Sequence, residues 1–207
     1  DDLIDRFGAD TLRMYEMFLG PLEQFKPWDI KGISGVHNFL RKFWRLMHDN
    51  NNNFIISNSK PTEQENKIMH TCIKKVTEEL NRFSFNTAVS TFMICINDLT
   101  NLNCNKKDII TPFVILLSPY APYVAEEIWQ LLGNYNSIFK ASWPSFEDKY
   151  LEEKNYTYPI SFNGKMRFTL ELSCNLSKDD IQKKVLSNPK TKSYLVNKHF
   201  QRIIIIP

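Results

Sequence analysis

The chain has 207 residues, of which 43% are hydrophobic and 13% aromatic, and its formal net charge is +3. A hydrophobic fraction of this size provides enough apolar surface for a packed core, which excludes a globally disordered chain. No apolar run approaches the roughly 18 residues that a membrane-spanning helix needs, so no membrane partner is predicted. The sequence begins at Asp1 without a methionine or a signal peptide, from which we expect a piece of a longer protein.

Charge is distributed unevenly along the chain. Residues 1–150 contain 16 Lys and Arg against 18 Asp and Glu, a net charge of −2. Residues 151–207 contain 10 against 5, a net charge of +5. A basic C-terminal part indicates a polyanionic partner such as a nucleic acid, although a solvated basic surface would give the same pattern.

Residues 1–150 predict a bundle of four or five amphipathic helices joined by short links. One helix is indicated by apolar residues that recur at helical spacing on one face: Val36, Phe39, Leu40, Phe43 and Met47. Thr62 and Glu65 have the spacing of a capping box at the start of the next helix. Asn86 is predicted to cap the helix after that one.

A proline complicates the start of a later apolar helix. Either the helix begins at Thr111, with Pro112 in its first position, or it begins at Asp108 and is kinked. A further helix is predicted from Pro122 and should end at Gly133. The first 150 residues therefore predict a mostly α-helical fold.

The pattern changes to a small α/β domain after residue 150, with the element order β-β-α-β. Asn163-Gly164 is the signal of a two-residue hairpin turn, because both residues tolerate a positive φ. After the turn, apolar residues alternate with polar ones as in a half-buried strand: Met166, Phe168, Leu170 and Leu172. Ser177 is predicted to cap a short helix, and Ile203–Ile206 to form the last strand.

The sequence shows little sign of catalysis. The four histidines, His37, His48, His70 and His199, have no nucleophile or carboxylate at motif spacing, and no Gly-rich phosphate loop occurs. The four cysteines form no CxxC pair, so we expect reduced thiols and no zinc: Cys72, Cys95, Cys104 and Cys174. No catalytic residue and no metal ligand is predicted, which favours a binding protein.

Two groups of basic residues are candidate nucleic-acid contacts. Arg41, Lys42 and Arg45 fall on the helix face opposite the apolar stripe, where they could grip phosphate oxygens or simply form an exposed helix side. Lys165 and Arg167 follow the hairpin turn. More basic residues come later in the same domain: Lys183, Lys184, Lys190, Lys192, Lys198 and Arg202. Their density slightly favours a nucleic-acid surface.

Several sequence blocks are more specific than any of these patterns. Residues 8–23 read GADTLRMYEMFLGPLE, and residues 20–29 read GPLEQFKPWD. Further blocks follow in order: GISGVHNFL at 32–40, SPYAP at 118–122, EEIW at 126–129 and NGKMR at 163–167. Together they resemble the bacterial leucyl branch of the class I aminoacyl-tRNA synthetases over nearly the whole chain.

The resemblance implies a division of the chain into three parts. Residues 1–32 would be a connector that follows the catalytic domain, residues 33–145 the helical anticodon-binding domain, and residues 155–207 a truncated C-terminal domain that contacts tRNA. The chain would then bind leucine-accepting tRNA next to its own catalytic domain, in the cytoplasm. ATP and magnesium would belong to that catalytic domain, so no cofactor and no activity are expected of this chain alone.

Two alternatives to this interpretation stay open. The parent protein could be a valyl or isoleucyl synthetase, although the block at residues 20–29 argues against it. The chain could also be a non-catalytic RNA-binding or interaction module with the same fold. The sequence departs from the resemblance at two positions. Asn38 stands where the family usually has an Arg, and Tyr123 stands where it usually has a His. No phosphate contact is therefore expected at residue 38. Arg13 and Trp28 are expected to support packing rather than to bind RNA.

Overall fold

The chain divides into two units, Asp1–Leu151 and Glu152–Pro207, and the computed structural model describes residues 2–152, 155–196 and 203–205. The described part of the first unit contains the α-helices α1 (Asp2–Phe7), α2 (Ala9–Phe18), α3 (Ile33–Leu46), α4 (Glu63–Asn81), α5 (Phe85–Asn101), α6 (Lys107–Leu117) and α7 (Pro122–Leu131). The second unit contains β1 (Asn155–Phe162), β2 (Lys165–Ser173), α8 (Lys178–Ser187) and α9 (Pro189–Leu195). The predicted fold class, a helical bundle followed by a small α/β domain, is confirmed. The boundaries at residues 32, 145 and 155 stay predictions.

Aromatic rings fill the centre of the bundle. Phe43 of α3 lies 4.8 Å from Phe113 of α6 between ring centroids, and Phe92 of α5 lies 5.7 Å from Phe113. The apolar stripe predicted for α3 is confirmed, since Val36, Phe39, Phe43 and Met47 are buried and Leu40 is half-buried. Burying such side chains stabilises the fold by about 1.5–3 kcal/mol each, so this stripe holds α3 in place.

The capping box at the start of α4 is confirmed. The Glu65 amide donates to Thr62 Oγ1 at 3.3 Å, and the Thr62 amide donates to Glu65 Oε2 at 2.6 Å. The prediction that Asn86 caps α5 is wrong, because the carbonyl of Ser84 already accepts from the amides of Thr87 and Ala88. Ser84 is therefore the capping residue, and Asn86 lies inside the first turn.

The structure decides between the two alternatives for the proline helix. Helix α6 begins at Lys107, one residue before Asp108, and contains Pro112 in its interior. Thr111 Oγ1 donates to the carbonyl of Lys107 at 2.8 Å, a hydrogen bond within the helical turn that precedes the proline. The limits of α7 are as predicted, with Pro122 in the first turn and Gly133 at φ 91° after the C-terminal cap.

The hairpin of the second unit has the predicted turn but an unpredicted bulge. Asn163 and Gly164 have φ of 51° and 75°, as a tight turn of this kind requires. Ser161 pairs with Met166, whereas Ile160 pairs with Phe168, so β2 has one extra residue. The predicted alternation therefore fails at Met166, which is 62% exposed, because a bulge turns the side chains around it.

The predicted last strand is wrong for the residues that the structure describes. Ile203–Ile205 have no regular secondary structure, and Ile206 lies outside the described residues. β-branched residues favour a strand only where a neighbouring strand can pair with them, and the described sheet consists of β1 and β2. Helix α9, which the sequence did not predict, begins where Asn188 Oδ1 accepts from the Lys190 amide at 2.9 Å.

Candidate nucleic-acid interface

Two side chains on the basic face of α3 are exposed to solvent, and the third makes a hydrogen bond to a neighbouring helix. Arg41 and Arg45 are exposed, one helical turn apart. Lys42 is half-buried, and its Nζ donates to Asn97 Oδ1 of α5 at 2.6 Å. Lys42 therefore helps to join α3 to α5, while the two arginines present their guanidinium groups to solvent.

An open cavity of about 470 Å³ borders Arg41. Aromatic and apolar side chains of α1, α3 and α7 form much of its wall, and Asp10 of α2 also lines it. The Asp10 carboxylate accepts from the backbone amides of Tyr123 at 3.2 Å and Val124 at 2.7 Å. Burial raises the pKa of Asp10 above its ordinary value, and the two amides partly oppose that rise. Asp10 thus caps α7 from a distant helix, a contact that the sequence did not reveal.

In the second unit, Lys165 and Arg167 are both exposed on β2. Arg167 is the extra residue of the bulge, and its guanidinium carbon lies 5.7 Å from the centroid of the Tyr194 ring. Tyr194 in turn stacks on Phe162 with a centroid distance of 5.1 Å. Tyr194 was not predicted from the sequence. Its signal was an aromatic residue two positions after Lys192 in a basic segment, the kind of interleaving that nucleic-acid surfaces use.

The later basic residues are only partly described. Lys183, Lys184, Lys190 and Lys192 are exposed on α8 and α9, whereas Lys198 and Arg202 lie outside the described residues. Lys190 Nζ lies 5.9 Å from the ring centroid of Phe168. The second unit therefore combines exposed cations with partly exposed aromatic rings. This combination suits the phosphates and bases of a nucleic acid.

The segment between α2 and α3 is held at a few points and is otherwise exposed. The Trp28 ring lies edge-to-face with the Tyr15 ring at a centroid distance of 5.9 Å. Arg13 lies in α2 rather than in this segment, and its Nη2 donates to the carbonyl of Pro119 at 3.5 Å. The Tyr15 hydroxyl donates to the carbonyl of Asp29. Every residue from 21 to 30 is nevertheless exposed, and Phe25 is 94% exposed.

A second segment, residues 143–150, runs along the exposed side of α4. The Trp143 indole donates to Thr77 Oγ1 at 2.9 Å, and the Glu147 amide donates to His70 Nδ1 at 3.0 Å. Tyr150 stacks on His70 with a centroid distance of 4.5 Å. Burial lowers the pKa of His70, Glu147 raises it and Lys149 lowers it, with a net decrease. We call residues 143–150, which these contacts hold against α4, the α4 strap.

The described residues do not form a cluster of metal-ligating side chains. No group of three or more His, Cys, Asp or Glu among the described residues could hold a metal ion. Cys72, Cys95 and Cys104 are buried, and burial raises the pKa of Cys104 to about 11, which keeps that thiol protonated. No described helix is long and apolar enough to cross a membrane.

Comparison with known proteins identifies relatives over the whole chain. The leucine–tRNA ligase of Cytophaga hutchinsonii is 51% identical over 207 residues, which are 100% of this chain and 22% of the relative. That of Christiangramia forsetii is 52% identical over 100% of this chain and 21% of the relative. The chain therefore spans about a fifth of the length of these relatives.

A solved structure and a family model complete the comparison. The agnB2 LeuRS of Agrobacterium radiobacter K84, in a ternary complex with tRNA and LeuAMS, has the same fold with a TM-score of 0.68 and 24% identity, over 100% of this chain and 28% of that one. The model described as the anticodon-binding domain of tRNA ligase matches residues 66–184. Because this match covers more than half of the chain, the chain belongs to the family of tRNA-ligase anticodon-binding domains.

Proposed function

We propose that this chain is the tRNA-docking part of a leucine–tRNA ligase, the enzyme that attaches leucine to its tRNA with ATP. The observation that carries the proposal is the identity of about half of all residues to leucine–tRNA ligases over the full 207 residues. The fold supports it, because the chain belongs to a tRNA-ligase domain family and has exposed basic side chains in both units.

The chain would act by positioning the tRNA rather than by chemistry. Arg41 and Arg45 in the bundle, and Lys165 and Arg167 in the hairpin, would contact phosphates and so fix the register of the RNA without reading its sequence. Such contacts matter because a displacement of about 1 Å at a reacting centre can cost about 100-fold in rate. ATP and magnesium would be bound elsewhere in the ligase, in the cytoplasm.

A salt titration of tRNA binding tests the proposal. The natural full-length protein is mixed with a leucine-accepting tRNA and, as a control of similar shape, a serine-accepting tRNA with its long variable arm. We expect tighter binding of the leucine-accepting tRNA and a steep decrease of affinity with salt. Equal affinity for both tRNAs, or no binding at low salt, would contradict the proposal.

A further inference from the structure

The cavity beside Arg41 is lined by aromatic rings, as a binding site for a flat ring would be. It lies where the α1–α2 junction, α3 and the start of α7 meet. Phe7, His37, Trp44 and Tyr123 contribute four rings to its lining. Tyr123 is 71% exposed, so one of these rings is available to a partner. The volume of the cavity, about 470 Å³, lies within the range of roughly 300–1,000 Å³ that is typical of ligand pockets.

The part of the cavity that Asp10 lines does not suit an anion. The start of a helix normally attracts phosphate through its free amides. Here the amides of Tyr123 and Val124 already donate to the Asp10 carboxylate, which also adds a negative charge. A carboxylate has about four acceptor positions, so Asp10 can still accept from a further N–H group. The part of the cavity beside Asp10 therefore suits a neutral, planar group that donates a hydrogen bond.

The rim of the cavity has the opposite charge. Arg41 lines it from α3, and Arg45 lies exposed one turn further along the same helix. A guanidinium group is a strong partner for phosphate. A cationic rim, aromatic walls and an acceptor inside match a nucleotide whose base enters the cavity while its phosphate stays outside. Unstacked bases of RNA are commonly recognised in this way.

We propose that the cavity takes one unstacked base of the bound tRNA. The base lies against the ring of Tyr123, donates an exocyclic amino group to the Asp10 carboxylate, and leaves its phosphate at Arg41. The amino group restricts the base to adenine, cytosine or guanine. This inference rests on the proposed function, and it adds base recognition to a docking surface that otherwise contacts the backbone.

Chemical probing of a leucine-accepting tRNA tests this inference. Dimethyl sulfate and kethoxal modify unpaired adenine, cytosine and guanine, and the natural full-length protein is added as wild type, Tyr123→Ala or Tyr135→Ala. Tyr135 is a matched control, because its side chain is fully exposed and does not line the cavity. We expect one unpaired base to be protected by the wild type and the control but not by Tyr123→Ala.

The affinity adds a second readout. Tyr123→Ala should weaken binding about 10-fold, the effect of losing one base–aromatic stack, and should leave the salt dependence unchanged because no charge is removed. Arg41→Gln should instead reduce the salt slope by about 1. The two variants thus separate contact with the base from contact with its phosphate.

The possible failures are distinguishable. If no protein variant binds tRNA at low salt, the proposed function fails and the base site fails with it. If the tRNA binds but no base depends on Tyr123, the base site is overturned and the proposed function stands. If Tyr123→Ala lowers the melting temperature of the tRNA-free protein while Tyr135→Ala does not, and base protection is unchanged, Tyr123 serves the stability of the fold rather than the RNA, and the inference is overturned.

Discussion

Glu65 joins a helix start to a residue 41 positions later. Its Oε2 accepts from the Thr62 amide and from Lys106 Nζ, the latter at 2.7 Å. The pair is largely buried, with side-chain exposures of 6% for Glu65 and 17% for Lys106. Burial opposes ionisation, but the hydrogen bonds from Lys106 and Thr62 outweigh it and lower the pKa of Glu65 to about 2.

The low pKa makes a prediction about acid stability. Because the pKa in the folded state lies below its ordinary value of 4.5, the contribution of Glu65 is complete above pH 4.5 and is lost as the pH falls toward 2. We expect Glu65→Gln to lower the free energy of unfolding by about 3 kcal/mol at pH 7. Urea denaturation at pH 7 and pH 3 measures the difference, which should shrink at pH 3.

Glu78→Gln is the matched control, since Glu78 is exposed on the same helix. It should change the stability by less than about 0.5 kcal/mol at either pH. A loss for Glu65→Gln that is equal at pH 7 and pH 3 would contradict the predicted role of its charge.

Single residues show which contacts a sequence can predict. Thr62 and Glu65 are three positions apart, so their spacing alone indicated the capping box. Lys106 and the link from Asp10 to α7 come from distant parts of the chain, and only packing brings them together. Arg167 was predicted as a candidate nucleic-acid contact, but its position over Tyr194 depends on a bulge that no residue pattern indicated. The phosphate contacts assigned to the basic residues stay predictions.

Two glycines predict opposite effects of the same substitution to alanine. Gly164 has φ of 75° in the hairpin turn, whereas Gly35 lies inside α3 without a positive φ, and a Cβ at either position meets nothing within 4 Å. Gly164→Ala should therefore destabilise the second unit by about 1 kcal/mol. Gly35→Ala should stabilise the first unit by about 0.5–1 kcal/mol.

Thermal unfolding of each variant, followed by a probe in the unit concerned, measures these effects. Equal signs for the two substitutions would show that side-chain contacts, rather than the backbone, decide the outcome.

The α4 strap predicts a local response to pH. His70 must be neutral at Nδ1 to accept from the Glu147 amide, and its pKa lies below the ordinary 6.5. The contact is therefore complete above pH 6.5 and is lost as the pH falls through the lower folded pKa. Hydrogen exchange should show a several-fold lower protection factor for the Glu147 amide at pH 5 than at pH 7.5, as expected from the loss of about 1 kcal/mol.

His70→Phe provides the control for the strap, because it keeps a ring for Tyr150 and removes the acceptor. The Glu147 amide should then be weakly protected at both pH values. A pH response that persists in His70→Phe would assign the titration to another group.

The elements differ in how well the sequence predicted them. Helix α4 and the turn of the hairpin have local signals, a capping box and an Asn-Gly pair, and both were predicted correctly, whereas the bulge in β2 was not. Ile203–Ile205 have strand composition but no described strand beside them, so composition alone misled the prediction. The α4 strap has neither helix nor strand periodicity along most of its length, and its contacts become visible only in the folded chain.

The exposed cations of the two units predict two separable contributions to tRNA binding. Arg41→Gln with Arg45→Gln, and Lys165→Gln with Arg167→Gln, each remove two exposed cations. Each phosphate contact contributes about 0.7–0.9 to the slope of log affinity against log salt. Each double variant of the full-length protein should therefore reduce that slope by about 1–2, and the combination by the sum.

Lys75→Gln with Arg82→Gln is the matched control, with the same change of charge at exposed positions associated with α4. It should leave the slope unchanged. A double variant whose slope equals that of the wild type would remove its two residues from the tRNA contact.

The exposed segment between α2 and α3 has a consequence for the behaviour of the chain in concentrated solution. Leu22, Phe25 and Trp28 are 65%, 94% and 52% exposed, and exposed apolar side chains favour contact with one another in water. The net charge of +3 provides little repulsion to keep two molecules apart. The isolated chain should therefore tend to self-associate in concentrated solution.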